Sequence, residues 1–350
     1  MFTLHVASLD KFIPPIINLI RKLDLKNKQF FYTYGDKKKY PYDNQIDSIH
    51  KEKNNNLIHS FLSRYIPLLI KMYRAEKIVL HGLFDIYLVI ILAFNPWLLK
   101  KCYWLIWGGD LYYHNDDIVK PSRKKKIFEF FRRIVIKNIG YLVTYVPGDI
   151  LLARKWYSAK GEYIECYMYL SNISNSSITV ERKDKDYIAI QIGNSADPSN
   201  NHMEILDSLK KYKSENIKIY IPLSYGGDEN IKTIIDYAKS IFNENVIFLT
   251  DFLPFSQYME FLSEIDIAIF NHDRQQAMGN IITLLSLGKT VYINSSTTQW
   301  STLINYNLKL NDTRYINLNL LSKDESENNI KIINEKFNQK NLISQYKTFL

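Results

Sequence analysis

The segment Asn271–Ile293, NHDRQQAMGNIITLLSLGKTVYI, carries the residues whose types and spacing could do chemistry. Ile281, Leu284 and Leu285 share one face of a helix that Gly288 ends, so the helix begins near Gly279-Asn280. The first N–H groups of a helix have no partner inside it and sit at the positive end of its dipole, so they can hold a phosphate where approach is open. Gly279 has no side chain to block that approach, and Gln275 and Gln276 place two amides beside it. The same residues also make a plain turn with Asn280 as helix cap, and both readings stand.

Other polar loops follow strand-like runs. GNSADPSNNH, Gly193 to His202, gathers Asn194, Ser195, Asp197, Ser199, Asn200 and Asn201. A strand-to-helix connection needs one capping residue, and Ser199 or Asn200 suffices, leaving the others for a ribose, phosphate or sugar. PLSYGGD, Pro222 to Asp228, stands at the next strand end, either near the same ligand or as a Gly-rich turn. In the first half, WGGDLYY places Asp110 after Gly108 and Gly109, where a carboxylate could act as general base towards an acceptor hydroxyl or cap a turn. His5 and Asp10 flank the first strand end and His81 ends another, although a lone histidine is equally at home as a satisfied structural residue. The pairs Asp116-Asp117 and His272-Asp273 could suggest a metal but have the composition of solvated turns. No Cys/His cluster, Walker-type P-loop or internal repeat is present, and no metal is expected.

These residues need a scaffold. The 350-residue chain, 46% hydrophobic, is long enough for about two domains, each with its own core. Strands are expected at Thr3–Ala7, Phe30–Tyr34, Lys77–Leu80, Tyr103–Trp107 and Tyr141–Tyr145, with helical stretches between them. A charged stretch, Val180–Asp186, reads as a linker. Beyond it YIAIQI, IKIYIP, VIFL, IDIAIF and TVYI alternate with helices starting near His202, Glu229, Pro254 and Asn280. The expected architecture is α/β: an N-terminal domain over 1–180 and a C-terminal domain over 187–350, whose last helix can return to the first domain. Ligands gather at the carboxyl ends of such strands, where the polar loops lie.

The formal net charge of +9 favours an anionic partner. Nucleic acid is disfavoured, because the polar loops recur at strand ends while a nucleic-acid binder concentrates Lys, Arg and stacking aromatics on one open face. Cys102 and Cys166 support neither a disulfide framework nor a zinc site. The N-terminus reads as a core strand, not a secretory signal, and a cytoplasmic setting is expected. Ile86–Leu99 is too short to span a membrane and is expected as a buried helix. PSRKKKIFEFFRRIVIK, Pro121–Lys137, sets Arg123, Lys124, Lys125, Arg132 and Arg133 around apolar residues. As a helix it either lies on an anionic bilayer or packs between domains.

HGLFD (81–85), WLIWGGDLYY, YVPGD (145–149), IQIGNSADPSNNH and RQQAMGNIITLLSLGK together resemble the bacterial TDP-N-acetylfucosamine:lipid II N-acetylfucosaminyltransferases, glycosyltransferase family 56, from the first strand to about Trp300. The resemblance implies a GT-B fold of two facing Rossmann-like doubly wound domains. It implies transfer of a dideoxyamino sugar such as 4-acetamido-4,6-dideoxygalactose from a dTDP donor, without metal, to a polyprenyl-diphosphate-linked saccharide. By resemblance, Gly193–Asn201 (with Gly193, Asn194, Ser195, Asp197 and Asn200), Tyr225 and Gln275–Asn280 surround the donor. Asp110, with Gly108 and Gly109, and the His5, Asp10 and His81 loops face the acceptor. The acceptor implies the cytoplasmic face of the inner membrane and its anionic leaflet. A UDP-sugar transferase and a non-catalytic nucleotide-binding protein are the alternatives.

Overall fold

Runs such as TLHVA and IAIQI are too continuously apolar for a half-exposed sheet, and in the computed structural model they are central strands of two all-parallel sheets. The structure describes residues 1–52, 61–115, 123–174 and 185–350. The chain divides into two units, Met1–Ser171 with Gln339–Leu350, and Asn172–Asn338. The first division precedes the charged stretch, of which residues 180–184 lie outside the described residues.

In the first unit, β1 (Phe2–Ser8) leads to α1 (Ile13–Arg21), β2 (Lys28–Tyr34) and β3 (Ser48–Lys51). Then come α2 (Ile66–Arg74), β4 (Lys77–His81), α3 (Ile86–Phe94), α4 (Pro96–Leu99), β5 (Cys102–Leu105), the single-turn α5 (Gly109–Tyr112), α6 (Arg123–Asn138), β6 (Tyr141–Thr144), α7 (Pro147–Tyr157) and β7 (Glu162–Glu165). The sheet order is β3-β2-β1-β4-β5-β6-β7, so the winding reverses between β1 and β4. Alternation along β1 turns Leu4 and Val6 to the face covered by α2, α3, α6 and α7, and His5 to the other. The C-terminal helix Gln339–Phe349 completes this unit: Tyr346 donates to the Met168 carbonyl (2.5 Å) and Gln345 Oε1 accepts from Tyr167 N (2.9 Å).

Two expectations change here. Ile86–Leu99 is not one buried helix, because Pro96 cannot continue α3 and starts α4. Leu88, Val89 and Leu92 face the core, but Phe94 and Trp97 are 69% and 56% exposed. Within α6, Arg132 is not a surface cation. It is fully buried, and its guanidinium donates to the carbonyls of Leu83 (2.7 Å) and Asp110, while Arg123, Lys124 and Arg133 are exposed and Lys125 is half-buried.

The second unit runs β8 (Ile188–Ile192), α8 (His202–Leu209), β9 (Ile217–Pro222), α9 (Asp228–Phe242), β10 (Val246–Leu249), α10 (Phe255–Glu264), β11 (Ile267–Phe270), α11 (Met278–Ser286), β12 (Thr290–Ile293), α12 (Thr298–Asn305), β13 (Asn311–Asp312) and α13 (Lys323–Lys336). The order β10-β9-β8-β11-β12-β13 repeats the winding of the first unit and reverses between β8 and β11. The loops after these two strands are Gly193–Asn201 and Asn271–Ala277.

Candidate functional site

In the second unit the Gly193–Asn201 loop is built around Asn200. Its Oδ1 accepts from Asn194 N (2.9 Å), and its Nδ2 donates to Ser195 Oγ (3.2 Å) and the Asp197 carbonyl (2.9 Å). Gly193 has φ +64°, and a Cβ there would lie 2.5 Å from Asn200 Oδ1, so only glycine lets the loop close. Asn200 and Ser195 are fully buried and shape the loop from inside, whereas Asn194 reaches towards its neighbours. Asn194 Nδ2 donates to the Tyr225 hydroxyl (2.7 Å), and Tyr225 is itself 44% exposed. Asp197 Oδ1 accepts from Ser199 N (3.0 Å) and Oγ (2.6 Å), and the Ser199 hydroxyl also lies 2.7 Å from Gln276 Oε1.

The loop after β11 brings the rest. α11 starts at Met278, and its cap position is Ala277, a left-handed alanine (φ +58°) whose side chain can accept nothing. Asn280 is therefore not the cap: it lies inside the first turn, where its Oδ1 accepts from the Tyr258 hydroxyl (3.0 Å). The first-turn N–H groups of Met278, Gly279 and Asn280 meet no capping side chain among the described residues. Arg274, the one cation in Asn271–Ala277, stands in this loop with its guanidinium 3.5 Å from Asp197 Oδ2.

His272, whose sequence context has the composition of a solvated turn, is fully buried. Its Nε2 faces Asn194 Oδ1 (3.1 Å) and Asn200 Oδ1 (2.9 Å), so that nitrogen carries the proton. Burial, then the nearby Arg274 and His202 charges, push its pKa down to about 3. His272 Nδ1, His202 Nε2, Gln275 Oε1, Gln299 Nε2 and Gln191 Oε1 are buried polar atoms without a protein partner, and all belong to this unit. Thr3 Oγ1, His50 Nε2 and Arg64 Nε in the first unit are likewise unpartnered among the described residues, so it is the grouping of His272, His202 and Gln299 around the Gly193–Asn201 and Asn271–Ala277 loops that offers bonds to another molecule.

The first unit contrasts. Asp110 is fully buried: Oδ2 accepts from Trp104 Nε1 (2.6 Å) and Leu83 N (3.0 Å), and Oδ1 from Trp107 N (2.9 Å). Burial pushes its carboxyl pKa up, against these donors and Arg132. Of the two readings of Asp110, a general base or a turn cap, its contacts match the second: it fastens the Gly108-Gly109 turn to the loop after β4. The acids of the other two quoted motifs are also structural: Asp85 caps α3 and pairs with Arg64 (2.7 Å), and Asp149 accepts from the Tyr112 hydroxyl (3.1 Å). Asp10 differs. It lies half-buried beyond β1 at the reversal point, with Oδ1 accepting only from Phe12 N (3.2 Å).

His5 and His81 join a buried chain that sequence reasoning missed. Trp107 Nε1 donates to the Tyr169 hydroxyl (2.8 Å), which reaches His81 Nδ1 (2.8 Å); His81 Nε2 lies 3.2 Å from His5 Nδ1, and His5 Nε2 lies 2.8 Å from Gln29 Oε1. An indole can only donate, and Gln29 Nε2 is committed to the Asn27 carbonyl (2.8 Å), so the protons run one way and both imidazoles are neutral. Burial holds the His5 pKa down to about 4 and His81 well below the ordinary value. Tyr169 gave no signal in sequence, whereas Arg274 could have been found as the lone cation just before a helix start. Asp116-Asp117 lies outside the described residues. Among the described residues no three His, Cys, Asp or Glu side chains group as metal ligands.

Two parallel-sheet α/β units make the GT-B fold, the architecture of GT-B glycosyltransferases, and solved structures share it. Sucrose-phosphate synthase from Thermosynechococcus elongatus matches with a TM-score of 0.66 at 9% identity, over 99% of this chain and 98% of that one. WaaG, a glycosyltransferase involved in lipopolysaccharide biosynthesis, matches with a TM-score of 0.55 at 10% identity, over 100% of this chain and 95% of WaaG. The N-terminal domain of Candida albicans trehalose-6-phosphate phosphatase gives 0.67 at 10% identity, over 99% and 95%. The sequence is more particular than the fold. Residues 24–334 match the 4-alpha-L-fucosyltransferase family, glycosyl transferase group 56, and the chain belongs to that family and is a glycosyltransferase.

Proposed function

We propose that the protein transfers 4-acetamido-4,6-dideoxygalactose from its dTDP derivative to a polyprenyl-diphosphate-linked oligosaccharide. The setting is the cytoplasmic face of a bacterial inner membrane, during assembly of a surface polysaccharide such as an O-antigen or the enterobacterial common antigen. The observation that carries the reading is the start of α11, where backbone N–H groups without a side-chain cap stand in one loop with Arg274. Displacement at the anomeric carbon leaves growing negative charge on the departing diphosphate, and preoriented N–H groups and a guanidinium stabilise that charge without a metal. The unpartnered Gln275, Gln299 and His272 atoms supply acceptors and a donor for the base and sugar of the donor. The family's description as a 4-alpha-L-fucosyltransferase supports a 6-deoxygalactose skeleton. Among the described residues no helix is long and apolar enough to cross a membrane, which is compatible with a peripheral attachment.

On the acceptor side Asp110 is a positioning residue in this proposal, and Asp10 takes the base role if the reaction inverts. A thermal-shift titration with dTDP, UDP and GDP tests the donor site, since a ligand of the folded state raises the melting temperature. Selective stabilisation by dTDP is expected, and equal response to UDP would favour a UDP-sugar donor. With transfer measured directly, Asp10→Asn should lower the rate by about 10²–10⁴-fold and leave the dTDP shift intact, the loss typical of a general base. An undiminished rate in Asp10→Asn would remove the base assignment.

A further inference from the structure

Surface helices expose their polar side, yet four neighbouring helices of the first unit, α2, α3, α4 and α6, expose apolar side chains. α3, IYLVIILAF, has no charged position, and with one side on the core its other side leaves Phe94 exposed. On one flank α2 turns Ile66, Ile70 and Tyr73 outwards, and Trp97 of α4 donates through Nε1 to the Tyr73 hydroxyl (3.0 Å). On the other flank α6 exposes Ile127 and Phe130, while the Phe94 ring lies 5.7 Å from Phe131. Isolated exposed apolar residues need no explanation, but a group of them on four neighbouring helices does.

The charges give the partner its sign. Glu129, ion-paired with Arg132 and Arg133, is the single acid in α2, α3, α4 and α6. α6 also begins with Arg123, Lys124, Lys125 and Lys126 and has no acid in its first turn, which sets cations at the positive end of its own dipole. That placement is unfavourable in water, and an anionic surface reverses its sign. A second copy of the chain would bring the same cations face to face.

We propose that this helical face lies on an anionic bilayer, with Phe94, Trp97 and Phe130 at the acyl boundary and Arg123, Lys124 and Lys126 at the phosphates. It extends the membrane location proposed above and rests on it only for the choice of lipid.

The test is co-sedimentation of the purified full chain with phosphatidylcholine vesicles, with and without phosphatidylglycerol, at low and high salt. Binding should require phosphatidylglycerol, weaken with salt and shift tryptophan emission to the blue, a shift that Trp97→Phe removes. Phe94→Ser with Phe130→Ser should weaken binding about tenfold or more, because exposed apolar anchors are lost while the charges stay. Any of three results would overturn the proposal: no sedimentation of the wild type with phosphatidylglycerol vesicles, equal binding by the double variant, or a wild-type dimer in solution that the double variant converts to monomer. The dTDP thermal shift runs in parallel. Vesicle binding without any dTDP response would reject the transferase substrate proposed above and leave this surface standing.

Discussion

Each unit buries a pair of neutral histidines near its winding reversal, and the two pairs are finished differently. In the first unit all four ring nitrogens of His5 and His81 are hydrogen-bonded, in a chain closed by Gln29 at one end and Trp107 at the other. In the second unit His202 and His272 each keep a buried nitrogen without a protein partner, beside a helix start that no side chain caps. A fully satisfied network fixes a shape, whereas a partly satisfied one carries a standing cost that a ligand can remove. Thr3, His50 and Arg64 in the first unit also carry unpartnered buried atoms, so the contrast belongs to the two histidine pairs: one is closed by protein partners, and the other leaves a nitrogen open on each ring.

Arg132 gives the largest expected effect and tests the closed half of that contrast. Its guanidinium ties the loop after β4 to α5 through the carbonyls of Leu83 and Asp110, while Asp110 bonds Leu83 N in return. Arg132→Met leaves those carbonyls and the raised Asp110 carboxyl without their cation, so stability should fall by about 3–5 kcal/mol, the usual loss when one partner of a buried charged network is removed. Chemical denaturation checks this, and Arg133→Met is the comparison: Arg133 is 45% exposed at its side chain, with bonds to the Trp156 carbonyl and to His114, and its change should stay within about 1 kcal/mol. Equal effects at the two positions would dissolve the distinction between a fastened interior and a solvated surface.

The neighbouring arginines also show where reading the sequence stops. The five strands expected in the first half all form, as do the helices expected near His202, Glu229, Pro254 and Asn280, because continuous apolar runs and one-sided helical periodicity are strong signals. Ser48–Lys51 and Glu162–Glu165 escape notice because edge strands are short, half-exposed and free to carry charge. The site loops were legible as clusters of small polar residues. Which member points inwards was not: Asn200 organises the loop and Asn194 faces out of it, a division set by backbone turns at Gly193 and Asn201. In α6 the buried Phe128, Val135 and Ile136 share an arc that includes Arg132 and leaves out Arg133, so helical phase carried a signal that the abundance of basic residues hid. Asp110 looked reactive for the reason it is structural, since a carboxylate on a glycine turn at a strand end is well placed to collect N–H donors.

Arg274 probes the open half with a smaller effect. Arg274→Ala should reduce dTDP affinity by about 10- to 100-fold, the scale of one charge-assisted bond to phosphate, while the melting temperature of the unliganded protein stays near that of the wild type. Isothermal titration measures the first quantity and a thermal scan the second. A large stability loss without any loss of affinity would make Arg274 the partner of Asp197 alone, and the second unit would then resemble the first.

The smallest effect is a slope. An unfolded histidine gains its proton as pH falls through about 6.5, whereas folded His5 and His202 stay neutral to about 4 and His272 to about 3. Between those limits the unfolded state holds more protons, so stability is fully present above about 6.5 and declines towards acid by roughly 1.4 kcal/mol per pH unit for each such histidine. Asp110, with its raised carboxyl pKa, contributes a slope of opposite sign, so the measurement is the difference between wild type and His272→Gln. That variant should remove one histidine's increment of the decline between pH 6.5 and 5. Saturating dTDP should alter the increment from His272, which bonds the Asn194 and Asn200 side chains of the proposed donor loop, and leave that of His5 unchanged. A ligand that moved both equally would show that the two pairs are finished alike.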